Sequence, residues 1–200
     1  DLVSSTMKAS GVDPSAPEES TNTSSNNAVL INALAEETNP NIKEMSHLLD
    51  TNIKGLLESC NYNVLELNGP DASPERLKTL SDMSVIIMLG HGSPTKFQTG
   101  KRWTPSDYNR DWLDRKIIPM FVAWGNTGVS WWKYKSEKVQ FWQHRAFCAV
   151  TGEFWKDAYA NSPFKDALFI NLACYGATDK TYRDALFKVG VKAYTGWTDE

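Results

Sequence analysis

Cysteine and histidine are both scarce in this sequence, which has three of each among 200 residues. Three cysteines cannot form a disulfide framework, because an odd count leaves at least one thiol unpaired. The three histidines, His47, His91 and His144, show no metal-ligand spacing, and no Cys-x-x-Cys motif accompanies them. We therefore expect no structural zinc site, and we expect the protein to need no cofactor.

Long apolar runs and an excess of one charge are also absent. The longest apolar stretches are far shorter than the roughly 18 residues that a membrane-spanning helix needs, so we expect no membrane span. The formal net charge is −3 and no long basic run occurs. Electrostatics therefore gives no reason to expect nucleic acid as a partner. A hydrophobic content of 41% still suits one globular domain with a sizeable core.

The beginning of the chain differs in composition from the rest. Residues 1–27 are poor in large apolar side chains and rich in Ser, Thr, Asn, Pro and Glu. Such a segment buries too little surface to offset the entropy lost on ordering. We interpret it as a flexible tail, a linker from an upstream domain or a pro-segment. The start at Asp1, without an initiator Met or a signal peptide, favours a mature or trimmed product.

From residue 28 the chain alternates apolar strands with helices. The pattern predicts strands at 28–34, 62–67, 85–89, 167–173 and 191–197, and helices at 40–59, 73–80 and 181–189. This order predicts an α/β fold, a three-layer α-β-α sandwich around a mainly parallel sheet. Sheets of this kind usually continue beyond such a last strand. It stays open whether the domain at 28–200 lacks its C-terminal core strands, or belongs with a further domain or a processed C-terminal piece.

Residues 93–162 interrupt this alternation of strands and helices and are rich in tryptophan. Seven of the eight tryptophans lie here: Trp103, Trp112, Trp124, Trp131, Trp132, Trp142 and Trp155. A Gly/Asn turn between 117–124 and 129–134 predicts a β-hairpin, with a further strand at 138–142. We interpret the segment as an insertion with its own antiparallel sheet. Its aromatic side chains form a mini-core or, as the less favoured alternative, a face that binds carbohydrate or peptide.

Two strand ends carry the residues that suggest chemistry. The third predicted strand runs into Gly90-His91-Gly92, and the fourth into Cys174-Tyr175-Gly176. Because the carboxyl ends of parallel strands line the ligand crevice of an open sheet, we expect His91 beside Cys174. A thiol needs a neighbouring base or positive charge to become nucleophilic near neutral pH, which an imidazole supplies. The backbone N–H groups of Gly92 and Cys174 would stabilise an oxyanion.

The other cysteines and histidines lie away from strand ends. Cys60 follows an amphipathic helix and Cys148 lies in the insertion, and we interpret both as small buried apolar side chains. His47 is expected on the polar side of its helix, and His144 on the surface of the insertion. A single His-Gly or a single Cys at a strand end is more often structural, so the hypothesis depends on the two motifs together.

The two motifs resemble those of the caspase-like cysteine peptidases, the group of caspases, legumain, clostripain, gingipains and separase. The resemblance covers about residues 28–197 outside the insertion, and 190–197 looks most like the gingipain-type branch. It implies an endopeptidase with a protein or peptide substrate, in which Cys174 is the nucleophile and His91 the general acid/base. Gly92 and Cys174 would form the oxyanion hole. A secreted or cell-surface location is favoured over a cytoplasmic one.

The same resemblance implies a specificity pocket walled by residues 175–179 and 195–200. The expected substrate-binding residues are Tyr175, Thr195, Gly196, Trp197 and Asp199. The two walls carry three carboxylates and no Lys or Arg: Asp179, Asp199 and Glu200. A carboxylate at the base of a pocket pairs with a basic side chain. We therefore expect cleavage after Arg or Lys with Asp199 in the pocket, the alternative being that all three carboxylates are solvated surface charges.

Other functions stay open at this point. A catalytically silent caspase-like module would bind peptides or partner domains with the same fold. A CHAT-type regulatory peptidase shares both motifs. A carbohydrate-binding or adhesive module would use the tryptophan-rich segment instead of the dyad.

Overall fold

The computed structural model describes residues 25–93, 95–107, 110–121, 146–174, 176–177 and 180–197. Its strands are β1 (Asn27–Asn32), β2 (Asn63–Asn68), β3 (Val85–Leu89), β4 (Gly92–Ser93), β5 (Lys96–Arg102), β6 (Ile117–Phe121), β7 (Ala146–Thr151), β8 (Ala167–Asn171) and β9 (Val191–Gly196). Its α-helices are α1 (Pro40–His47), α2 (Lys54–Ser59), α3 (Pro74–Leu77), α4 (Arg110–Leu113), α5 (Gly152–Ala158) and α6 (Lys180–Lys188). No helix in these ranges is long and apolar enough to cross a membrane.

Five strands form one parallel sheet in the order β2-β1-β3-β8-β9. These are the five strands that the sequence predicts, and their bounds differ from the prediction by at most two residues at each end. The chain winds from β1 outward to β2, returns to β3 on the other side of β1, and continues to β8 and β9. The prediction of an α/β fold with a mainly parallel sheet is confirmed.

Side chains of the parallel sheet alternate between two apolar clusters. In β1, Val29 and Ile31 belong to one cluster, whereas Ala28 and Leu30 belong to the other. Residues of α5 and α6 complete the first cluster, and residues of α1 and the following helical turn complete the second. Because both faces are covered, all five residues of β3 are buried, which explains why this strand is a continuous apolar run.

The helices follow the predicted pattern with two differences. The segment predicted at 40–59 is helical throughout, but a π-helical stretch at Leu48–Ile53 separates α1 from α2. The helix predicted to reach Leu80 instead ends at Leu77. After it, the N–H of Thr79 donates to the Arg76 carbonyl, three residues back, and the N–H of Leu80 donates to the hydroxyl of Tyr159 at 3.0 Å. A tertiary hydrogen bond therefore takes the place of the next helical one.

A second sheet is antiparallel, in the order β4-β5-β7-β6. The strand predicted from residue 117 is present as β6 and pairs with β7, for example through Ile117 and Val150. The strands predicted at 129–134 and 138–142 lie outside the described residues. Five elements of the 92–162 region were not predicted from the sequence: β4, β5, β7, α4 and α5. In β5, Gln98 and Thr99 are fully buried, and polar residues at buried positions hide the apolar alternation on which a strand prediction depends.

The described tryptophans of the 93–162 segment join the main core. Trp103 and Trp155 are buried and Trp112 packs beside them, all in the cluster that lies under the parallel sheet. The Trp155 ring meets Phe169 of β8 edge to face, with centroids 5.6 Å apart. The expectation of a separate mini-core is therefore wrong for these three side chains. The remaining four lie outside the described residues: Trp124, Trp131, Trp132 and Trp142.

Candidate active site

His91 and Cys174 follow neighbouring parallel strands at the same level of the sheet. The β3–β8 register ends at the pair Met88 and Asn171, and the N–H of Leu172 extends the ladder by donating to the Met88 carbonyl at 2.8 Å. His91 is three residues after Met88, and Cys174 is three residues after Asn171. Since hydrogen-bonded strands lie about 4.8 Å apart, this register brings the two segments together at the carboxyl edge.

The two segments remain in contact beyond the end of the ladder. A Cβ atom placed on Gly92 would lie 2.5 Å from the carbonyl oxygen of Cys174 and 2.7 Å from the Cβ of Ala173. Cβ contacts shorter than 3.0 Å are essentially never seen. A glycine is therefore required at position 92 by the close approach of the Cys174 backbone.

The opposite edge of the His91 segment is held by β5. The N–H of Gln98 donates to the His91 carbonyl at 2.8 Å, and Gly92 stands opposite Phe97 in the next antiparallel pair. Antiparallel pairs alternate between hydrogen-bonded and non-hydrogen-bonded positions. Because His91 and Gln98 form a hydrogen-bonded position, the N–H of Gly92 is not used in the β4–β5 ladder.

Burial sets the protonation state of His91. The side chain is half-buried, and its desolvation lowers the pKa of the imidazole below the usual value, since burial disfavours the charged form. The neutral form of the imidazole therefore predominates at pH 7, and in that form one ring nitrogen can accept a proton. Cys174 is also half-buried. Because β3 and β8 are parallel neighbours, the imidazole and the thiol belong to segments at the same edge of the sheet.

The other cysteines and histidines have different surroundings. Cys148 in β7 is fully buried, as predicted, and burial raises the pKa of its thiol to about 12. Cys60, in contrast, is exposed, so the expectation that it is buried is wrong; it follows α2, a helix in which no residue is buried. His47 is exposed, as predicted. His144 lies outside the described residues.

The two predicted pocket walls contact each other. The N–H of Ala177, in the segment after Cys174, donates to the carbonyl of Trp197 at 2.7 Å. Thr195 is exposed, Gly196 is half-buried and ends β9, and the Trp197 side chain is 60% exposed. The other predicted pocket residues and carboxylates lie outside the described part of the chain: Tyr175, Asp179, Asp199 and Glu200.

Two residues that sequence analysis did not select lie directly against the Cys174 loop. Asn171 accepts a hydrogen bond from the N–H of Ala173 at 3.0 Å and donates one to the hydroxyl of Tyr194, also at 3.0 Å. That hydroxyl in turn donates to the carbonyl of Gly176. One signal for Asn171 was present in the sequence: a polar residue within a buried strand must find hydrogen-bond partners.

A cavity of about 420 Å³ lies elsewhere on the molecule. It is lined by Ser25, Ser81, Asp82, Met83, Ser162, Pro163, Phe164 and Lys165. These residues precede β1, β3 and β8, so the cavity lies at the amino ends of the strands. It contains no Cys or His, and ligands of open parallel sheets bind at the carboxyl ends instead. We therefore place the candidate active site at His91 and Cys174.

No metal centre is found within the described ranges, where no group of three or more His, Cys, Asp or Glu side chains is placed to hold a metal ion. Comparisons of the chain with protein-family models, curated proteins and solved structures find no match. The function is therefore argued from the geometry of the site.

The surroundings of the three thiols predict which of them react. We expect iodoacetamide to modify Cys60 and Cys174 in the folded protein and Cys148 only after unfolding, because a buried, protonated thiol is inert. In a Cys60→Ser variant, Cys174 should be the one thiol modified under native conditions. Peptide mass spectrometry before and after denaturation measures this. Native modification of Cys148, or a folded protein in which Cys174 resists modification, would contradict the assignment.

Proposed function

We propose that this protein is a cysteine endopeptidase of the caspase-like type, with Cys174 as nucleophile and His91 as general acid/base. The observation that carries the proposal is the β3–β8 register, which brings the segment of His91 next to the segment of Cys174 at the carboxyl edge of a parallel sheet. The His91 imidazole has a lowered pKa and the Cys174 side chain is half-buried. In this proposal the parallel sheet is the centre of a three-layer α-β-α caspase-like domain.

The first half of the reaction transfers the acyl group of the substrate to Cys174. His91 takes the thiol proton, and the sulfur attacks the carbonyl carbon of the scissile peptide bond. The resulting oxyanion collapses, the C–N bond breaks, and His91 gives its proton to the departing amine. The products of this half are a free amine and a thioester on Cys174.

The second half releases the acid product by hydrolysis of the thioester. His91 accepts a proton from a water molecule while the water oxygen attacks the thioester carbon. The C–S bond then breaks, and the sulfur leaves and recovers the proton from His91. The peptide is released with a new carboxyl group, and the dyad returns to its starting state.

An oxyanion hole for both halves is formed by the backbone N–H groups of Gly92 and Cys174. Two features support this role: the Gly92 backbone packs on the Cys174 carbonyl, and its N–H is not used in the β4–β5 ladder. Loss of one such donor typically costs about 3 kcal/mol of transition-state stabilisation.

The test of the proposal is substitution of the dyad. We expect Cys174→Ala to abolish hydrolysis of a positional-scanning peptide library, and His91→Ala to lower it by roughly 10⁴-fold or more, because members of a catalytic unit act together. Cys60→Ser and Cys148→Ser should both keep the activity, with some loss of stability in the buried case. Circular dichroism and urea unfolding establish that each variant is folded.

Two outcomes would decide against the dyad. A folded Cys174→Ala protein with near wild-type turnover would exclude Cys174 as the nucleophile. A folded wild-type protein that reacts with thiol probes but cleaves no member of the library would favour a silent module that binds peptides.

A second prediction concerns the contact between Gly92 and Cys174. In Gly92→Ala the new methyl group must displace the Cys174 backbone, and a misplacement of about 1 Å at a catalytic centre can cost about 10²-fold in rate. We expect a drop in kcat/KM of that size. The matched control is Gly55→Ala in α2, where an added Cβ has nothing within 4 Å and alanine favours the helix by about 0.5–1 kcal/mol. If Gly92→Ala and Gly55→Ala were equally active, the contact between Gly92 and Cys174 would no longer support the proposed oxyanion hole.

Substrate preference is a separate proposal, supported by the charge of the pocket-wall sequence. We propose cleavage after Arg or Lys, with Asp199 pairing with the substrate side chain. A hydrogen bond to a charged group is worth about 1.5–3 kcal/mol, so Arg substrates should exceed matched Asn substrates by roughly tenfold or more. Matched Arg, Lys, Asn and Asp substrates measure this. A preference for Asp would contradict it, and an Asp199→Asn variant that keeps the Arg preference would exclude Asp199.

A further inference from the structure

The loop that carries Cys174 is fixed on both sides of the cysteine. Before Cys174, the N–H of Ala173 donates to the side-chain oxygen of Asn171 at 3.0 Å. After it, the N–H of Gly176 donates to the Ala173 carbonyl at 3.1 Å, and the Gly176 carbonyl accepts from the hydroxyl of Tyr194. The turn at Cys174 is therefore closed by the backbone bond between Gly176 and Ala173 and is held by the side chains of Asn171 and Tyr194.

The two side chains are joined to each other. The side-chain nitrogen of Asn171 donates to the Tyr194 hydroxyl at 3.0 Å, so a chain of hydrogen bonds runs from the Ala173 amide through Asn171 and Tyr194 to Gly176. The Tyr194 ring is held by stacking on Phe169 of β8, with centroids 5.8 Å apart and planes 28° apart. The relay thus connects the Cys174 loop to β8 and β9, the two strands beside it.

Asn171 occupies a position where an apolar residue would suit the core. It is 3% exposed and, two residues after the fully buried Phe169, is on the same face of β8. A buried amide is costly unless it is hydrogen-bonded. Its bonds go to the loop and to Tyr194, so the polar group holds the loop and does not contribute apolar packing.

We propose that Asn171 and Tyr194 are positioning residues that hold the Cys174 loop in the geometry required for attack by the thiol, an inference that rests on the proposed function. The side-chain hydrogen bonds described for them go to the loop backbone and to each other. Their effect is on the placement of the Cys174 sulfur and of the Cys174 N–H relative to His91 and Gly92. Burial raises the pKa of the Tyr194 hydroxyl, so this donor stays protonated across the working pH range.

The informative variant is Tyr194→Phe, which removes one oxygen and keeps the ring that stacks on Phe169. In a Cys60→Ser background we expect kcat to fall by roughly 10–100-fold with KM nearly unchanged, because small misplacements act on the reacting geometry. The second-order rate constant for iodoacetamide modification of Cys174 should change as well. Asn171→Leu, which removes both of its bonds at similar volume, should show the same pattern.

The matched control is Tyr182→Phe. The Tyr182 hydroxyl is also buried and accepts a hydrogen bond from the indole N–H of Trp155 at 2.6 Å, but this bond lies between α5 and α6. A purely structural hydroxyl predicts lower stability towards urea with unchanged kcat and unchanged Cys174 modification. That is the result expected for Tyr182→Phe and not for Tyr194→Phe.

The two readouts separate failure of this inference from failure of the proposed function. If wild-type protein hydrolyses peptides through Cys174 but folded Tyr194→Phe retains both rates, the relay has no positioning role. If Cys174-dependent hydrolysis is absent, the proposed function fails. The rate at which iodoacetamide modifies Cys174 then tests the positioning role by itself. An unchanged rate in Tyr194→Phe overturns that role, and an altered rate supports it. Tyr194→Phe alone suffices if Asn171→Leu does not fold.

Discussion

The parallel register between β3 and β8 is the constraint on which the candidate site depends. A slip of one residue would exchange the two faces of β3, and both faces are buried in different clusters. A slip of two residues would keep the faces but move His91 along the sheet by about 6.6 Å relative to Cys174, at about 3.3 Å per residue. Ile86 and Met88 pack in one cluster and Ile87 in the other. This packing therefore also sets the position of the His91 segment along the sheet relative to the Cys174 segment.

The segments of His91 and Cys174, the candidate pair, are each held by a different neighbour. The His91 segment is held by β5 of the antiparallel sheet, through the bond from Gln98, whereas the Cys174 loop is held by β9 through Tyr194. The two segments then meet where the Gly92 backbone packs on the Cys174 carbonyl. The antiparallel sheet is therefore part of the site's support. The described tryptophans of the 93–162 segment belong to the same apolar cluster as residues of the parallel sheet.

Much of the parallel sheet was predictable because its signals are local. An apolar run such as Val85–Leu89 needs only its own residues to indicate a strand covered on both faces. His91 between two glycines, and Cys174 at the end of another apolar run, indicate the edge where ligands bind. The antiparallel sheet gave weaker signals. Gln98 and Thr99 are polar yet fully buried, and that burial is imposed by neighbours distant in the sequence. Cys60 was predicted to be buried for its residue type alone, but it is exposed at the end of α2, a helix without a buried residue.

The sequence by itself determined the five core strands, their order of alternation with helices, and the candidate pair His91 and Cys174. Only the tertiary structure decided the level at which the pair meets, the contact of Gly92 with Cys174, and the involvement of Asn171 and Tyr194. The physical reason is the range of the interactions. Apolar periodicity is a property of a few consecutive residues, whereas register, close backbone approach and a hydrogen-bond relay between strands exist only after distant segments have packed together.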